Sequence, residues 1–166
     1  MKFAFFFATV ILIALHQGGG VNGLCFSSIC CCNIVRQTDN CGRGTYGASR
    51  SGGVRSHRGI DIICPANSDV RAPFNATIIR TARPYSNNNG LHNTGVLMKG
   101  KGKWAAHSVK MFYVRKTVNN GDYVRGGSNI GVMTNMAREY RCTMTNHIHV
   151  QLYKNNKIID PTPYTC

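Results

Sequence analysis

The stretch TNHIHVQLY, residues 145–153, alternates with a period of two. Read as a β-strand, it places Ile148, Val150 and Leu152 on one face and His147, His149, Gln151 and Tyr153 on the other. The apolar face belongs against a core. The second face carries two imidazoles about 6.5–7 Å apart, close enough for both to address one small object, a metal ion being the first candidate.

A second place of the same chemistry lies upstream in SHRGIDI, residues 56–62, where His57 precedes Asp61 by four positions with Gly59 between them. On a helix that spacing would align the two side chains, but Gly59 and the β-branched Ile60, Ile62 and Ile63 argue for a loop running into a strand. Glycine lets such a loop bend so that both side chains converge. Metal sites built for catalysis use three His or carboxylate ligands and leave a fourth position for water. His57, Asp61 and one histidine of HIH make such a set.

Around these motifs the chain shows short β-like runs: DIIC, DVRAPF, ATIIRTA, TGVLMKG, KWAAHSVKMFYVRK, NIGVM, NHIHVQLY and NKIID. They are punctuated by CPANS, PYSNNNG, KGKG, VNNGD, RGGS and KNN, at the spacing of an antiparallel sheet protein. No helical period is long enough to compete. SNIGVMTNMAREYRCTMTN offers one turn of helix or a long loop before the histidine strand. Residues 24–55, rich in Cys, Gly, Ser and Arg, have no sustained period and read as a stapled, irregular N-terminal segment.

The first 23 residues read as a secretory signal peptide: a lone Lys2, an apolar run over residues 3–15, and small residues toward Gly23, with Val21 and Gly23 suited to a cleavage site. That run is shorter than the roughly 18–20 residues of a membrane span, and no later run approaches it. Without Lys2 the formal charge of +14 becomes +13, which draws acidic partners: glycosaminoglycans, bacterial cell walls, acidic protein surfaces. Secretion makes nucleic acid the least suitable of them. The eight cysteines, Cys25, Cys30, Cys31, Cys32, Cys41, Cys64, Cys142 and Cys166, are an even number after the leader and read as disulfides. Zinc-finger spacing is missing, and 105 pairings remain open. FNAT makes Asn75 a glycosylation acceptor on a turn between strands.

Three segments in order, SHRGIDIICPANSDVRAPFNATII, VNNGDYVRGGSNIGV and NHIHVQLYKNNKIIDPTPY, resemble the lysostaphin-type zinc metallopeptidase family. That family shows a His-x-x-x-Asp, an APF strand and turn, a GDxVxxGxxIG hairpin, a His-x-His strand and a closing DPxPY. The resemblance spans residues 57–164 and implies an all-β, mainly antiparallel domain over 56–166 behind the cysteine-rich segment 24–55 and the leader 1–23. A secreted vertebrate signalling branch of that fold is similar further upstream, through CGRGTYGASRSGGVRSHRGIDIIC.

Carried over position by position, the resemblance implies one zinc ion on His57, Asp61 and His149, with His147 as the catalytic histidine if the protein is an active enzyme. The peptidases place another histidine on the strand before the hairpin. Counted back from Gly121, that place falls at Phe112 or Tyr113, and neither is a base. Loss of a positioned acid or base costs about 10²–10⁴ in rate. His107 could substitute only through a shifted register or a bulge; otherwise it and His92 read as surface imidazoles. Ser108 and Tyr153 stand where the signalling branch has a disulfide. The resemblance implies a bond from Cys64 to an N-terminal cysteine, and Cys142 and Cys166, left unmatched, are expected to pair.

The function expected is a secreted, zinc-binding signalling or immune protein on a metallopeptidase fold, acting on a cell-surface receptor or acidic glycan. Two alternatives stand beside it: a zinc endopeptidase cutting glycine-rich or peptidoglycan cross-link peptides, and a cationic scaffold in which metal hardly matters.

Overall fold

A computed structural model describes residues 23–86, 90, 92–136, 140 and 142–166. Residues 1–22 of the expected leader 1–23, and the middles of the PYSNNNG and MAREYRC segments, lie outside the described residues. Among the described residues no helix is long and apolar enough to cross a membrane.

Among the described residues fourteen strands follow one another: β1 Thr38–Asp39, β2 Gly42–Arg43, β3 Ser49–Arg50, β4 Arg55–Ser56, β5 Ile60–Ile63, β6 Asp69–Arg71 and β7 Ala76–Thr81, then β8 Gly95–Gly100, β9 His107–Phe112, β10 Val114–Lys116, β11 Tyr123–Val124, β12 Asn129–Met133, β13 His147–Lys154 and β14 Lys157–Ile159. Seven form one antiparallel sheet in the order β11-β7-β8-β9-β13-β14, with β5 also on β13. The all-β expectation holds.

β13 is the histidine strand, and its eight residues explain how it serves three neighbours. One edge pairs with β9 along its whole length from His149 to Lys154; the other is divided between β5, opposite residues 147–150, and β14, opposite residues 152–154. The β13–β14 hairpin closes on Asn155 and Asn156, both at positive φ (49° and 63°), the two-residue turn that asparagine tolerates.

The long run KWAAHSVKMFYVRK divides into three pieces. Gly102–Trp104 forms a 3₁₀ turn, β9 enters the large sheet, and β10 enters a second sheet of order β10-β12-β6. The break is Tyr113, which lies between the two strands at φ 68°. Its left-handed backbone costs a bulky residue about 1–3 kcal/mol and is over-determined here. Its N–H donates to the Thr94 carbonyl (2.7 Å), and its carbonyl accepts from the N–H and the Oγ1 of Thr134 (both 2.9 Å).

Both sheets share one core. Ile60, Ile62, Ile148, Val150 and Leu152 are fully buried beside Met98, Val109 and Met111, and Val70, Ile130 and Met133 of the smaller sheet belong to the same cluster. Each such side chain contributes about 1.5–3 kcal/mol through removal of apolar area from water. Ile148, Val150 and Leu152 are the face expected from the alternation.

The cysteine-rich segment is built into this body. Phe26 stacks on Trp104 and Tyr164 (ring centroids 5.6 and 5.8 Å), and Val35 bridges Ile62 on the edge of β5. Three disulfides fasten it: Cys25–Cys166, Cys30–Cys64 and Cys41–Cys142. The bond from Cys64 to an N-terminal cysteine is as expected. The expected Cys142–Cys166 pairing is wrong: each bonds a different cysteine of the N-terminal segment. The reason is tertiary: the Phe26 N–H donates to the Tyr164 carbonyl (2.8 Å), which brings Cys25 to Cys166, and the Thr145 N–H donates to Asp39 (3.0 Å), which brings Cys41 to Cys142. The reading of all eight as bonded is also corrected, because Cys31 and Cys32 are free thiols with their sulfurs 3.2 Å apart.

Candidate metal centre

The pairing of β13 with β5 makes the site. Asp61 and His149 are direct cross-strand partners, while Ile60 and Ile62 pair with Val150 and Ile148 on the core face. Cross-strand partners hold their Cβ atoms about 5 Å apart, so the carboxylate and the imidazole meet without adjustment of the chain. His149 Nδ1 lies 3.0 Å from Asp61 Oδ1.

His57 arrives from the loop between β4 and β5, as expected. Its N–H donates to the Ala48 carbonyl and its carbonyl accepts from Gly47, both at 2.8 Å. Its Nδ1–H donates to the Thr45 carbonyl (2.8 Å), which leaves Nε2 as a lone pair 3.1 Å from Asp61 Oδ1 and 2.8 Å from His149 Nδ1. Gly59 permits this approach: a Cβ there would meet the Val150 carbonyl oxygen at 2.5 Å and the His149 ring at 2.9 Å.

The donor set fits a cation. Three ligand atoms, His57 Nε2, His149 Nδ1 and Asp61 Oδ1, converge with one hydrogen to share among them, so lone pairs face one another unless a positive charge sits between. Their separations of 2.8–3.1 Å are a few tenths of an ångström tighter than the roughly 3.3 Å between ligands of a tetrahedral zinc with bonds of about 2.05 Å. A small outward movement would admit the ion. Burial alone would raise Asp61, but the hydrogen bond with His149 and the closeness of the His57 and His147 rings hold its carboxyl well below the usual range. Burial pushes His149 down, opposed by Asp61, so it favours the neutral, ligating form.

His147 stands beside the three. Its Nδ1–H donates to the Thr145 carbonyl (2.7 Å) and Nε2 faces Asp61 Oδ1 at 3.5 Å, outside hydrogen-bond contact. Burial lowers it as well, so its Nε2 is a free base facing the cleft. Tyr113 sets its ring edge-on to His147 (5.8 Å, 86°), and Phe112 stacks on His149 (5.7 Å, 17°). Thus Tyr113 attends the base and Phe112 walls the ligand. The Tyr113 hydroxyl meets those of Tyr85 and Tyr140, each at 3.3 Å, and Tyr85 and Tyr140 hydrogen-bond each other.

His107 does not reach this site. It pairs with Lys154 at the far end of β9, about 16 Å along the strand from the Phe112–His149 pair. It is not on the surface either: its ring is 3% exposed, packed against Trp104 (5.0 Å) and Tyr164 (6.0 Å), with both nitrogens unpartnered. His92 is half-buried between Tyr85 and Tyr140 (5.3 and 5.6 Å). Ser108 and Tyr153 are opposite one another in the β9–β13 ladder, where neither can form a disulfide.

Sequence reading missed the arginines. Arg36 Nη2 donates to Asp61 Oδ2 (2.9 Å), its Nη1 to the Gly42 carbonyl (2.7 Å), and Arg50 Nη2 approaches the same Oδ2 at 3.5 Å. Asp61 therefore turns one oxygen to the imidazoles and the other to guanidinium, the arrangement that orients a carboxylate ligand. Nothing in the spacing of Arg36, twenty-five residues upstream in an aperiodic segment, announces this. The whole lies at the floor of a cleft of about 790 Å³.

Residues 55–161 match the model of peptidase family M23. The chain belongs to peptidase family M23. It is 33% identical over 132 residues to leukocyte cell-derived chemotaxin-2 of Bos taurus, covering 80% of each chain, and equally to that of Mus musculus. In fold it is similar to the catalytic domain of the antimicrobial peptidase lysostaphin from Staphylococcus simulans, with TM-score 0.55 and 23% identity over 73% of this chain and 88% of that one. The M23 match encloses His57, Asp61, His147 and His149, and it begins after Arg36 and Arg50, which come from the segment this chain adds upstream.

Proposed function

We propose that this protein is a secreted, zinc-binding signalling protein of the chemotaxin type, which keeps the M23 fold and its metal but does not cut peptide bonds, and acts by binding a cell-surface receptor or acidic glycan. The observation that carries the reading is Tyr113. Of Phe112 and Tyr113, the two positions where the resemblance sets the peptidases' further histidine, Tyr113 is the one that stands edge-on to His147, as a phenol held by its neighbours. A phenol of ordinary pKa near 10, raised further by burial and by Tyr140 and Tyr85, does not exchange protons at neutral pH.

His57, Asp61 and His149 would hold the zinc. Bound, the ion supplies a double positive charge that satisfies three facing lone pairs and ties the loop at His57 to β13, so binding energy becomes folding energy. Arg36 fixes Asp61, Thr45 fixes the His57 tautomer, and the leader-like first 23 residues together with three disulfides support secretion.

An active endopeptidase is the second reading, favoured by the unprotonated Nε2 of His147 facing the cleft. The purified protein, assayed for zinc and for turnover of pentaglycine and peptidoglycan, separates the two. One zinc per chain, lost in His149→Ala, with no turnover is the result expected. Turnover abolished by chelator and by His147→Ala would replace the first reading with the second.

A further inference from the structure

The β3–β4 hairpin sets Arg50 directly opposite Arg55, and both line the cleft. Like charges opposite one another in a two-stranded ladder repel, and Arg50 turns toward Asp61 Oδ2 at 3.5 Å. Arg58 and Arg83, both exposed, and Lys110 on β9 extend the same lining. Among the described residues around the cleft, six are Lys or Arg and one, Asp61, is acidic. That single carboxylate is already committed to Arg36, Arg50 and the imidazoles. The cleft is therefore a concentrated positive field with low-dielectric walls, which focuses attraction on an anion.

The Tyr85, Tyr113 and Tyr140 side chains also line the cleft. Their hydroxyls converge on one another, so the cleft meets a cluster of hydroxyl oxygens there and not the flat ring faces on which a sugar stacks. The cleft, about 790 Å³ in volume with Asp61 and the imidazoles at its floor, is large enough to seat several side chains of an extended segment.

We propose that this cleft binds an acidic peptide, an extended segment whose carboxylates lodge against Arg50, Arg55, Arg58 and Arg83. The inference rests on the reading that the cleft binds without cutting. It names the class of partner for that site.

The test is fluorescence anisotropy of a fluorescein-labelled hexaglutamate peptide with the purified full-length protein, with and without zinc. Saturable binding is expected, weakened at least tenfold between 50 and 500 mM NaCl, a range over which screening shortens from about 14 to about 4 Å. The double variant Arg55→Glu/Arg83→Glu should lose at least tenfold in affinity. Lys103→Glu/Lys157→Glu, the same change in net charge at exposed positions outside the cleft, should lose less than twofold. If the reversal unfolds the protein, Arg55→Gln/Arg83→Gln should still lose threefold or more. Equal losses in both charge-reversal variants, no saturable binding, or binding of a heparin-derived hexasaccharide but not of hexaglutamate would each overturn the proposal. Cleavage of the bound peptide would leave this binding site standing and overturn the non-cutting reading instead.

Discussion

Arg36 and Asp61 lie side by side under the cleft, Nη2 to Oδ2 at 2.9 Å, with 4% and 3% of their side chains exposed. The guanidinium comes from the cysteine-rich segment and the carboxylate from β5, so the first part of the chain completes a site whose other groups belong to the second. Removing one partner of a buried pair strands the other charge, at a cost of about 3–5 kcal/mol. Arg36→Met should lower the melting temperature accordingly and weaken zinc binding by about 10–100-fold, measured against a competing chromogenic chelator. Arg36→Lys should recover part of the stability and less of the affinity, because lysine lacks the fork that reaches both Asp61 and the Gly42 carbonyl. Wild-type zinc affinity in Arg36→Met would show that Asp61 needs no such support.

Tyr113 and Phe112 are separable by substitution. Because Tyr113 stands edge-on to His147 while Phe112 lies flat on His149, Tyr113→His should be the change that raises pentaglycine turnover above background. Phe112→His should not. A gain of about 10²-fold is the lower end of what a positioned imidazole contributes. Turnover restored by Phe112→His and not by Tyr113→His would reverse this assignment.

Cys41 and Cys142 both line the cleft, and their bond ties the segment carrying Arg36 to the chain before β13 across 101 residues. Replacing both with Ser should cost about 2–5 kcal/mol and loosen the cleft wall while leaving the β5–β13 pairing in place. Peptide mapping of the native protein should recover Cys25 with Cys166, Cys30 with Cys64 and Cys41 with Cys142. A peptide joining Cys142 to Cys166 would contradict the fold of the N-terminal segment.

Acid should destabilise the metal-free protein in two steps. Burial lowers His147, His149 and His107, so the folded chain resists their protonation. Their contribution is complete above the unfolded value of about 6.5 and is lost as pH falls below it, when the unfolded chain takes up protons first. Asp61 is held low, so its contribution persists to about pH 4 and is lost below that. Thermal melts should therefore decline from pH 7.5 to 5 and again below pH 4. His107→Phe should raise stability by about 1 kcal/mol, since both ring nitrogens are buried without partners, and should make the first decline shallower. A steeper decline would mean that His107 is paired in solution.

The β-strand periodicities were legible because they depend on neighbours two residues apart. Ile148, Val150 and Leu152 can be assigned to the core from the chain alone, and so can the turn at Asn155 and Asn156. The break at Tyr113 was not legible: a left-handed tyrosine between two β-rich runs is imposed by Thr94 and Thr134, which lie nineteen and twenty-one residues away. The cysteine pairing failed for the same reason, since it depends on where an aperiodic segment returns.

By itself the sequence determined the β architecture, the strand that carries His147 and His149, and the loop in which Gly59 lets His57 approach. Each follows from local spacing and side-chain size. Tertiary structure alone decided that Asp61 faces His149 across a ladder, that Arg36 and Arg50 hold its second oxygen, and that Tyr113 attends His147. Those relations are set by strand register and by the path of an irregular segment. Both are fixed by the burial of side chains far apart in the chain, and no short window of residues carries that information.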